Sequence, residues 1–225
     1  MRMQTLGRDL GGLLKDGIQL QYSKVGDQSV YSGFSSRGTT GLINNPNVTV
    51  ASASNSVANP NGVTGQYALK KWANKSNGEI ILELNAQLKA LHAAAEYDLS
   101  VVQSMQILMP WDQWSDLNSR IVSTAGNKSL LTYLMENNYA VGAGGSLRIV
   151  GCRQTAGAGI TISGTASDRA VFYVNDESKL SFDMPIPLTP IQTSFAGADY
   201  LTPYYYQIGQ VKLKYLQTIR YLDGI

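Results

Sequence analysis

An amphipathic helix near the middle of the chain is the clearest pattern in the sequence. Ser76 and Glu79 have the spacing of a capping box, in which each side chain bonds to the other's backbone, and this predicts a helix start. The pattern predicts a helix of about five turns over residues 79–97, with one buried face. The apolar residues of that face recur at steps of three and four: Ile81, Leu84, Leu88, Leu91 and Ala95.

A short apolar run follows this helix. Met105–Met109 is interrupted only by Gln106 and is stopped by Pro110, so it predicts a buried strand. Pro110 also suits the first turn of a further helix, which carries Trp111, Trp114, Leu117 and Ile121. A helix, a buried strand and a short aromatic helix in this order indicate the α+β class.

The N-terminal segment has a weaker helical pattern. Its apolar residues predict a first helix that ends at about Ser29: Leu6, Leu10, Leu13, Leu14, Ile18, Tyr22 and Val25. Gly7, Gly11, Gly12 and Gly17 interrupt it, each at a cost of roughly 1 kcal/mol relative to alanine. A helix with this many glycines must be supported by neighbouring structure.

The segments between the main elements predict loops and one more helix. Residues 33–60 are rich in Gly, Asn and Ser and indicate a surface loop with a short extended piece at 48–51. Asn127 can cap a helix whose apolar face is Leu130, Leu131, Leu134 and Met135. Gly142, Gly144 and Gly145 predict a loop before a strand at 147–150.

The last third of the chain favours strands. Residues 170–174 and 180–184 predict two strands joined by a turn. Pro185, Pro187 and Pro190 predict an extended segment with few ladder hydrogen bonds. Apolar and polar residues then alternate over 211–221, which predicts one long, half-buried strand with a polar face.

Composition indicates a folded chain with much of its surface covered. The length of 225 residues allows one domain or two small ones. Charged residues make up only 15% of the chain, against the usual quarter. A chain so poor in charge has little to cover its outside, which fits a subunit packed among other subunits, or an extracellular or virion particle.

Charge and cysteine content restrict the other classes. A net charge of +2 is too small to argue by itself for nucleic-acid or membrane binding. The single cysteine, Cys152, excludes an internal disulfide framework. The sequence contains neither an apolar run of transmembrane length nor a signal-peptide core after Met1, so we expect synthesis in the cytosol.

The residues that usually carry catalysis are scarce. His92 is the only histidine, and its place in the amphipathic helix favours a locally hydrogen-bonded role over that of a general base. One histidine and one cysteine are too few for a zinc site. The glycine-rich segment 142–146 lacks the Gly-Lys-Ser/Thr ending of a phosphate loop and precedes a strand. We therefore predict no catalytic, cofactor-binding or metal-binding residues.

Five aromatic residues are our candidates for contacts between subunits. Tyr204, Tyr205 and Tyr206 have faces on which bases or sugars can stack. Tyrosine is, however, enriched in protein–protein interfaces, and that interpretation is favoured. Trp111 and Trp114 at the start of the short helix complete the set.

The order of these elements resembles that of tailed-bacteriophage major capsid proteins with the Hong Kong 97-type shell fold, which encapsulins share. The resemblance covers the chain from about residue 5 to residue 225. Its most specific segments are GLINNPNV at 41–48, ILMPWDQW at 107–114 and RYLDGI at 220–225.

The resemblance implies an architecture and a function. Residues 1–104 would form a peripheral domain with the spine helix, a loop and the second long helix, and residues 105–200 mainly an axial domain. Residues 201–225 would return as a C-terminal strand to the peripheral domain. Such proteins form hexamers and pentamers of an icosahedral shell around packaged double-stranded DNA, beside other head proteins. They are made in the host cytoplasm, reside in the virion, and need no cofactor or membrane.

One departure from the family concerns the N-terminal side. Relatives carry an N-terminal arm and an extended loop before the spine helix, whereas here the spine-like helix begins almost at Met1. We expect these parts to be missing from this chain and to be supplied by a separate polypeptide or removed by cleavage. The lysine–asparagine cross-link of some relatives is not carried over, because its lysine lies in that loop.

Three alternatives remain at the level of the sequence. A bacterial nanocompartment shell would keep the fold and enclose a different cargo. A glycan- or ligand-binding module would use the tyrosine run in a monomer or small oligomer with an aromatic-lined groove. An enzyme is least favoured, since only a hydrolase that relies on carboxylates fits the residues present.

Overall fold

The computed structural model describes residues 10–122, 127–196 and 199–225, which form a mixed helix and sheet protein. The helices are α1 (Leu10–Tyr31), α2 (Gln66–Lys70), α3 (Asn77–Ala94), α4 (Leu99–Val102), α5 (Trp111–Ser119), α6 (Leu130–Glu136) and α7 (Tyr139–Gly142). Short 3-10 turns lie at Ser35–Arg37, Trp72–Asn74, Arg153–Thr155 and Leu216–Thr218. The predicted α+β class is confirmed.

The strands are short and spread over the whole chain. They are β1 (Thr49–Ser52), β2 (Met105–Met109), β3 (Leu147–Gly151), β4 (Thr161–Ile162), β5 (Thr165–Ala166), β6 (Arg169–Val174), β7 (Leu180–Phe182), β8 (Ile186–Pro190), β9 (Ser194–Ala196), β10 (Asp199–Leu201), β11 (Tyr204–Gln207), β12 (Val211–Leu213) and β13 (Ile219–Asp223). The chain divides into two compact units. The first unit is Met1–Asn44 with Phe182–Lys212, and the second unit is Asn45–Ser181 with Leu213–Ile225.

A five-stranded sheet is the centre of the second unit. Its order is β1-β13-β6-β2-β3. β13 runs parallel to β1 and antiparallel to β6, with Tyr221 opposite Val50 and Val171. β2 lies between β6 and β3, so Ile107 is opposite Phe172 on one side and Ile149 on the other. The predicted buried strand is thus an inner strand of a mixed sheet.

Helix α3 begins at the predicted capping box and packs on the core of the second unit. The Ser76 N–H donates to Glu79 Oε2 at 2.8 Å, and the Glu79 N–H donates to Ser76 Oγ at 3.4 Å. Leu84, Leu88 and Leu91 are buried as predicted, but Ile81 is only partly buried and the neighbouring Ile80 is fully buried. The buried face is therefore displaced by one residue in the first turn.

The end of α3 differs from the prediction. The helix ends at Ala94 and not at residue 97, because the next residues leave the helical conformation. Glu96 and Tyr97 have φ values of 55° and 60°, in the left-handed region. The Tyr97 N–H still donates to His92 O at 2.9 Å, which turns the chain sharply and starts α4 soon afterwards.

Two predicted helix boundaries are corrected around α5 and α6. Pro110 is the N-cap of α5 and lies just before its first turn, and Ile121 lies beyond the helix, where it forms a β-bridge with Ser129. Ser129 caps α6, since its side chain accepts from the Thr132 N–H, while Asn127 has a φ of 46° outside the helix. A serine two residues further along thus takes the capping role expected of Asn127.

The long C-terminal strand predicted for 211–221 is wrong. The 3-10 turn at Leu216–Thr218 separates β12 from β13, and the Thr218 hydroxyl closes it by donating to Tyr215 O at 2.8 Å. β13 lacks the predicted solvent-exposed polar face, because four of its five residues are buried and Arg220 is partly buried. Leu216 and Gln217 interrupt the alternation of apolar and polar residues at this turn, and the prediction of one continuous strand passed over them.

The first unit contains α1 and two small antiparallel ladders. β8 pairs with β11, and β9 pairs with β10. The segment rich in proline therefore forms a real ladder, although with a single partner strand, which is the sheet position that prolines tolerate. The predicted start of the first helix at Leu6 lies outside the described residues, and α1 ends at Tyr31, two residues past the predicted end.

Close backbone packing explains why residue 41 in the first unit is a glycine. A Cβ at this position would lie 2.2 Å from the Tyr31 carbonyl oxygen, which is far inside any real contact distance. The Ile43 N–H donates to the same oxygen at 3.0 Å. The loop therefore returns directly against the end of α1, and the predicted extended piece follows it as β1.

Candidate subunit interface

The two tryptophans at the start of α5 pack together but differ in exposure. Trp111 is 52% exposed, whereas Trp114 is partly buried and packs against the core of the second unit. Their rings meet edge to face with centroids 5.5 Å apart. Trp111 also lies over Gly151 of β3, where a Cβ would come within 2.5 Å of the indole ring. Gly151 and Trp114 therefore hold the Trp111 ring at the protein surface.

The three consecutive tyrosines lie on β11 in the first unit. Tyr205 and Tyr206 are 45% and 43% exposed, and Tyr204 is partly buried. Tyr206 meets Tyr22 of α1 edge to face at 5.2 Å, and the Tyr22 hydroxyl lies 2.8 Å from Met184 Sδ. Tyr206 therefore contacts α1, while Tyr205 lies at the surface and Tyr204 is partly covered.

Helix α1 carries an apolar surface that the sequence analysis did not identify as exposed. Leu13, Leu14 and Leu20 are 40%, 62% and 58% exposed. A Cβ at Gly17 would meet nothing within 4 Å, so packing within the described chain does not require a glycine there. The support predicted for this glycine-rich helix is therefore not provided over its first half by the described residues. The helical spacing of the leucines was the only sequence signal for this surface, but spacing alone does not show whether the apolar side of α1 is buried or exposed.

The second unit also exposes large apolar side chains away from the tryptophans. Among the described residues the most exposed are Val57 at 93%, Leu82 at 73% and Leu99 at 66%. Isolated exposed apolar residues are ordinary on proteins, but sets of them on both units, in a chain with 15% charged residues, are typical of surfaces that meet other proteins.

Buried charges fix the interior of the second unit. Glu83 of α3 accepts from Lys75 Nζ at 2.7 Å, Trp72 Nε1 at 2.9 Å and the Ser54 N–H at 2.7 Å. In β13, Asp223 accepts from two guanidinium nitrogens of Arg169 at 2.6 and 2.7 Å. Both carboxylates are fully partnered, which offsets much of the cost of removing them from water.

Glu79 has a second role beyond the capping box. Its carboxylate accepts backbone N–H bonds from Val57 at 2.6 Å and Ala58 at 3.1 Å, and so holds the loop that bears the exposed Val57. Burial raises the pKa of Glu79, but the backbone donors of Ser76, Ala58 and Val57 outweigh it and lower the pKa to about 2. The loop is therefore attached to α3 by a carboxylate that remains charged well below neutral pH.

The residues considered for catalysis have structural surroundings. His92 is 4% exposed, and its Nδ1 lies 3.1 Å from the Tyr139 hydroxyl, which agrees with the hydrogen-bonded role that the sequence favours. Cys152 is buried. A Cβ at Gly145 would lie 2.0 Å from Val102 O, so this glycine of the 142–146 segment serves backbone packing.

Neither a metal-binding cluster nor a membrane-spanning helix is found among the described residues. These residues contain no group of three or more His, Cys, Asp or Glu side chains that could hold a metal ion. Over the same part of the chain, none of the helices combines the length and the apolar character that a membrane span requires. The described residues thus present mainly aromatic and apolar surfaces.

Solved capsid structures have the same fold. The capsid of Myoviridae phage XM1 matches with a TM-score of 0.77 and 15% identity, over 100% of this chain and 68% of that chain. The capsid of an empty GTA particle matches with a TM-score of 0.54 and 13% identity, over 96% of this chain and 66% of that chain. At these identities the likeness establishes the fold. A search of curated proteins finds no match.

The family assignment comes from the sequence itself. The model of the major capsid protein family matches residues 1–225, which is the full length of the sequence. This match favours a virus shell over the nanocompartment and the ligand-binding module, and it agrees with the fold of the capsid structures. The chain therefore belongs to the major capsid protein family.

Proposed function

We propose that this chain is the repeating subunit of an icosahedral tailed-phage head that encloses packaged double-stranded DNA. The observation that carries the proposal is the family match over residues 1–225. Membership in this family makes the protein a structural shell component of the virion that assembles with copies of itself. Hexamers and pentamers as building units, DNA as the content and synthesis in the host cytoplasm are the proposed details.

The exposed apolar residues supply the contacts that the proposal needs. Trp111, Tyr205 and Tyr206 present aromatic surface, and Leu14 and Leu20 present aliphatic surface, on two different units. Assembly that buries such residues stabilises a shell through many shared interfaces, while each subunit alone stays modestly stable. Trp114 and Tyr204 act in this proposal mainly by holding their exposed neighbours in place. The role is structural and requires no catalysis.

Two further parts of the proposal concern organisation and partners. The peripheral and axial assignment with boundaries near residues 104 and 200 remains a prediction, and the compact units have other bounds. The supply of an N-terminal arm and extended loop by a separate or cleaved segment also remains a prediction. Other head proteins are proposed partners, and the exposed leucines of α1 are a surface on which another chain can pack.

Electron microscopy of the expressed protein tests the proposal. The chain is produced alone and together with the products of neighbouring genes, and particles are separated by size exclusion. Closed shells from the chain alone support self-assembly without other proteins, and shells that appear only with a neighbour support a supplied segment. A stable monodisperse monomer under both conditions contradicts the proposal.

A further inference from the structure

A small aromatic pocket lies within the first unit, and we refer to it as the aromatic pocket. It is lined by Val25 of α1, Phe34, Arg37, Tyr206, Gln207 and Ile208. Its volume of about 320 Å³ is at the lower limit of small-molecule sites, so it fits one or two side chains better than a buried ligand. Four of its six lining residues are apolar or aromatic, and one, Arg37, is a cation.

Arg37 gives the aromatic pocket its charge. The guanidinium lies over the Phe34 ring, with 5.5 Å from Cζ to the ring centroid. Among the described residues it forms neither an ion pair nor a side-chain hydrogen bond, and it is exposed. An arginine stacked on an aromatic ring keeps its N–H edge available for a carboxylate. The pocket is thus suited to an apolar side chain with an acidic neighbour.

The second unit presents a segment of that chemistry. Residues 96–99, which we call the acidic knob, are Glu96, Tyr97, Asp98 and Leu99. Tyr97 and Leu99 are 57% and 66% exposed, and Glu96 is exposed as well. The knob follows the end of α3, where Glu96 and Tyr97 adopt left-handed backbone conformations and project as a tight turn.

The acidic knob is held rigidly in this shape. The Tyr97 ring meets His92 edge to face at 5.3 Å, and the Asp98 side chain caps α4 by accepting the Ser100 N–H at 2.9 Å. Asp98 is also 3.5 Å from Lys179 Nζ, so its charge has a partner within the unit. The Glu96 side chain has no bond or ion pair within the described part of the chain. A rigid segment loses little entropy on binding, which favours a specific contact.

The two features are complementary in charge and in apolar character. One has an unpaired guanidinium beside aromatic rings, and the other has an unpaired carboxylate beside an exposed tyrosine. Tyrosine and arginine are the residue types that carry the most energy in protein interfaces. In a chain with so few charges, two free opposite charges that both border exposed aromatic surface are informative.

We propose that the acidic knob of one subunit inserts into the aromatic pocket of a second copy of this chain, with Glu96 pairing to Arg37. The inference rests on the proposed function, because it defines one of the contacts by which shell subunits recognise each other. Tyr97 then packs against Phe34 and Tyr206, and the ion pair fixes the register of the two subunits. Each copy has both features, so the contact repeats from subunit to subunit.

A charge exchange tests this contact. Arg37→Glu and Glu96→Arg are each expected to lower the fraction of protein sedimenting as shells by about tenfold or more, because like charges then meet at the contact. The protein that carries both substitutions is expected to regain the wild-type fraction to within about threefold, since the pair is restored with reversed signs. Lys89→Glu and Glu177→Arg are matched controls on exposed charges outside both features, and they should assemble as the wild type does.

The outcomes separate this inference from the proposed function. Wild-type shells together with single variants that assemble normally overturn the contact and leave the shell function intact. A folded double variant that fails to recover also overturns it. If the wild type forms no shells either alone or with the products of neighbouring genes, the proposed function fails, and a mixture of Phe34→Cys and Tyr97→Cys proteins tests the contact alone. Oxidation of that mixture should give a disulfide-linked dimer, and a dimer no more abundant than with Val57→Cys in place of Tyr97→Cys overturns the contact.

Discussion

The two compact units differ in where they place their apolar residues. In the second unit Leu84 and Leu88 of α3 are each 1% exposed, and the described members of the main buried cluster all belong to this unit. In the first unit Leu14 and Leu20 of α1 are about 60% exposed. The second unit therefore contains its own core, whereas the first leaves a large part of the apolar side of α1 exposed.

The two units also differ in where they place their charged residues. The second unit buries the Lys75–Glu83 and Arg169–Asp223 pairs, which fix unique arrangements in its interior. The first unit has Arg37 exposed beside aromatic rings. Changes in the interior of the second unit should therefore act on the stability of the free subunit, and changes on the exposed surface of the first should act on assembly. The chain's three tryptophans all lie in the second unit, so their fluorescence reports its unfolding.

The largest loss of stability is expected from Glu83→Gln. The substitution leaves the buried Lys75 ammonium without its carboxylate and weakens the bonds from Trp72 and Ser54. Breaking a buried pair on one side costs about 3–5 kcal/mol. The loss in the free energy of unfolding is measured by denaturant unfolding of unassembled subunits, followed by tryptophan fluorescence. Glu177→Gln is the control on an exposed carboxylate, and a loss for Glu83→Gln as small as the control's contradicts the ascribed role.

A slightly smaller loss is expected from Leu88→Ala in α3. Leu88 is 1% exposed, and removal of a buried leucine side chain costs about 2–5 kcal/mol through lost burial and the remaining cavity. Leu82→Ala in the same helix is the matched control, since Leu82 is 73% exposed and should change the free energy of unfolding by less than about 0.5 kcal/mol. Equal effects of the two substitutions would show that α3 does not pack as described.

The pH dependence of stability should report the Glu79 carboxylate. The pKa of Glu79 is lowered from 4.5 to about 2 in the folded chain, so its contribution is complete above pH 4.5 and is lost as the pH falls toward 2. Unfolding free energies measured from pH 5 to pH 2 should therefore fall more steeply for the wild type than for Glu79→Gln. Parallel curves for the two proteins would contradict the bonds to Val57 and Ala58.

The smallest change in subunit stability is expected from the double substitution Leu14→Gln and Leu20→Gln in α1. Both leucines are exposed, and glutamine has a similar helix propensity, so the free energy of unfolding should change by less than about 0.5 kcal/mol. The assembled fraction should nevertheless fall, because the lost apolar surface belongs to the proposed contacts. Gln21→Ala on the same helix is the control. Normal assembly of the double variant would contradict the assignment of the exposed leucines of α1 to contacts between subunits.

Local signals in the sequence predicted the elements of the second unit well. The capping box at Ser76 and Glu79 and the proline that stops Met105–Met109 are both determined by near neighbours, and the structure confirms them. The break at Leu216–Thr218 was missed although Leu216 and Gln217 interrupt the alternation of apolar residues, because the alternation resumes at Ile219. The end of α3 was missed because nothing in the residue types of Glu96 and Tyr97 requires a left-handed backbone.

The candidate interface was only partly accessible from the sequence. Aromatic enrichment selected Trp111, Trp114 and the tyrosine run, but exposure depends on tertiary packing, which separates Trp111 from Trp114. The leucines of α1 have ordinary helical spacing, and this spacing is the same for a buried and for an exposed apolar face. The sequence alone therefore does not distinguish the two. Their roles in contacts between subunits remain predictions that the substitutions above test.

The position of β13 has a consequence for synthesis on the ribosome. β13 fits between β1 and β6, both of which are translated well before it, and it is the only strand that joins them. Until Ile219–Asp223 leaves the exit tunnel, the nascent polypeptide therefore has two unpaired strand edges, which are targets for chaperones and proteases. A chain interrupted before this point cannot complete its sheet.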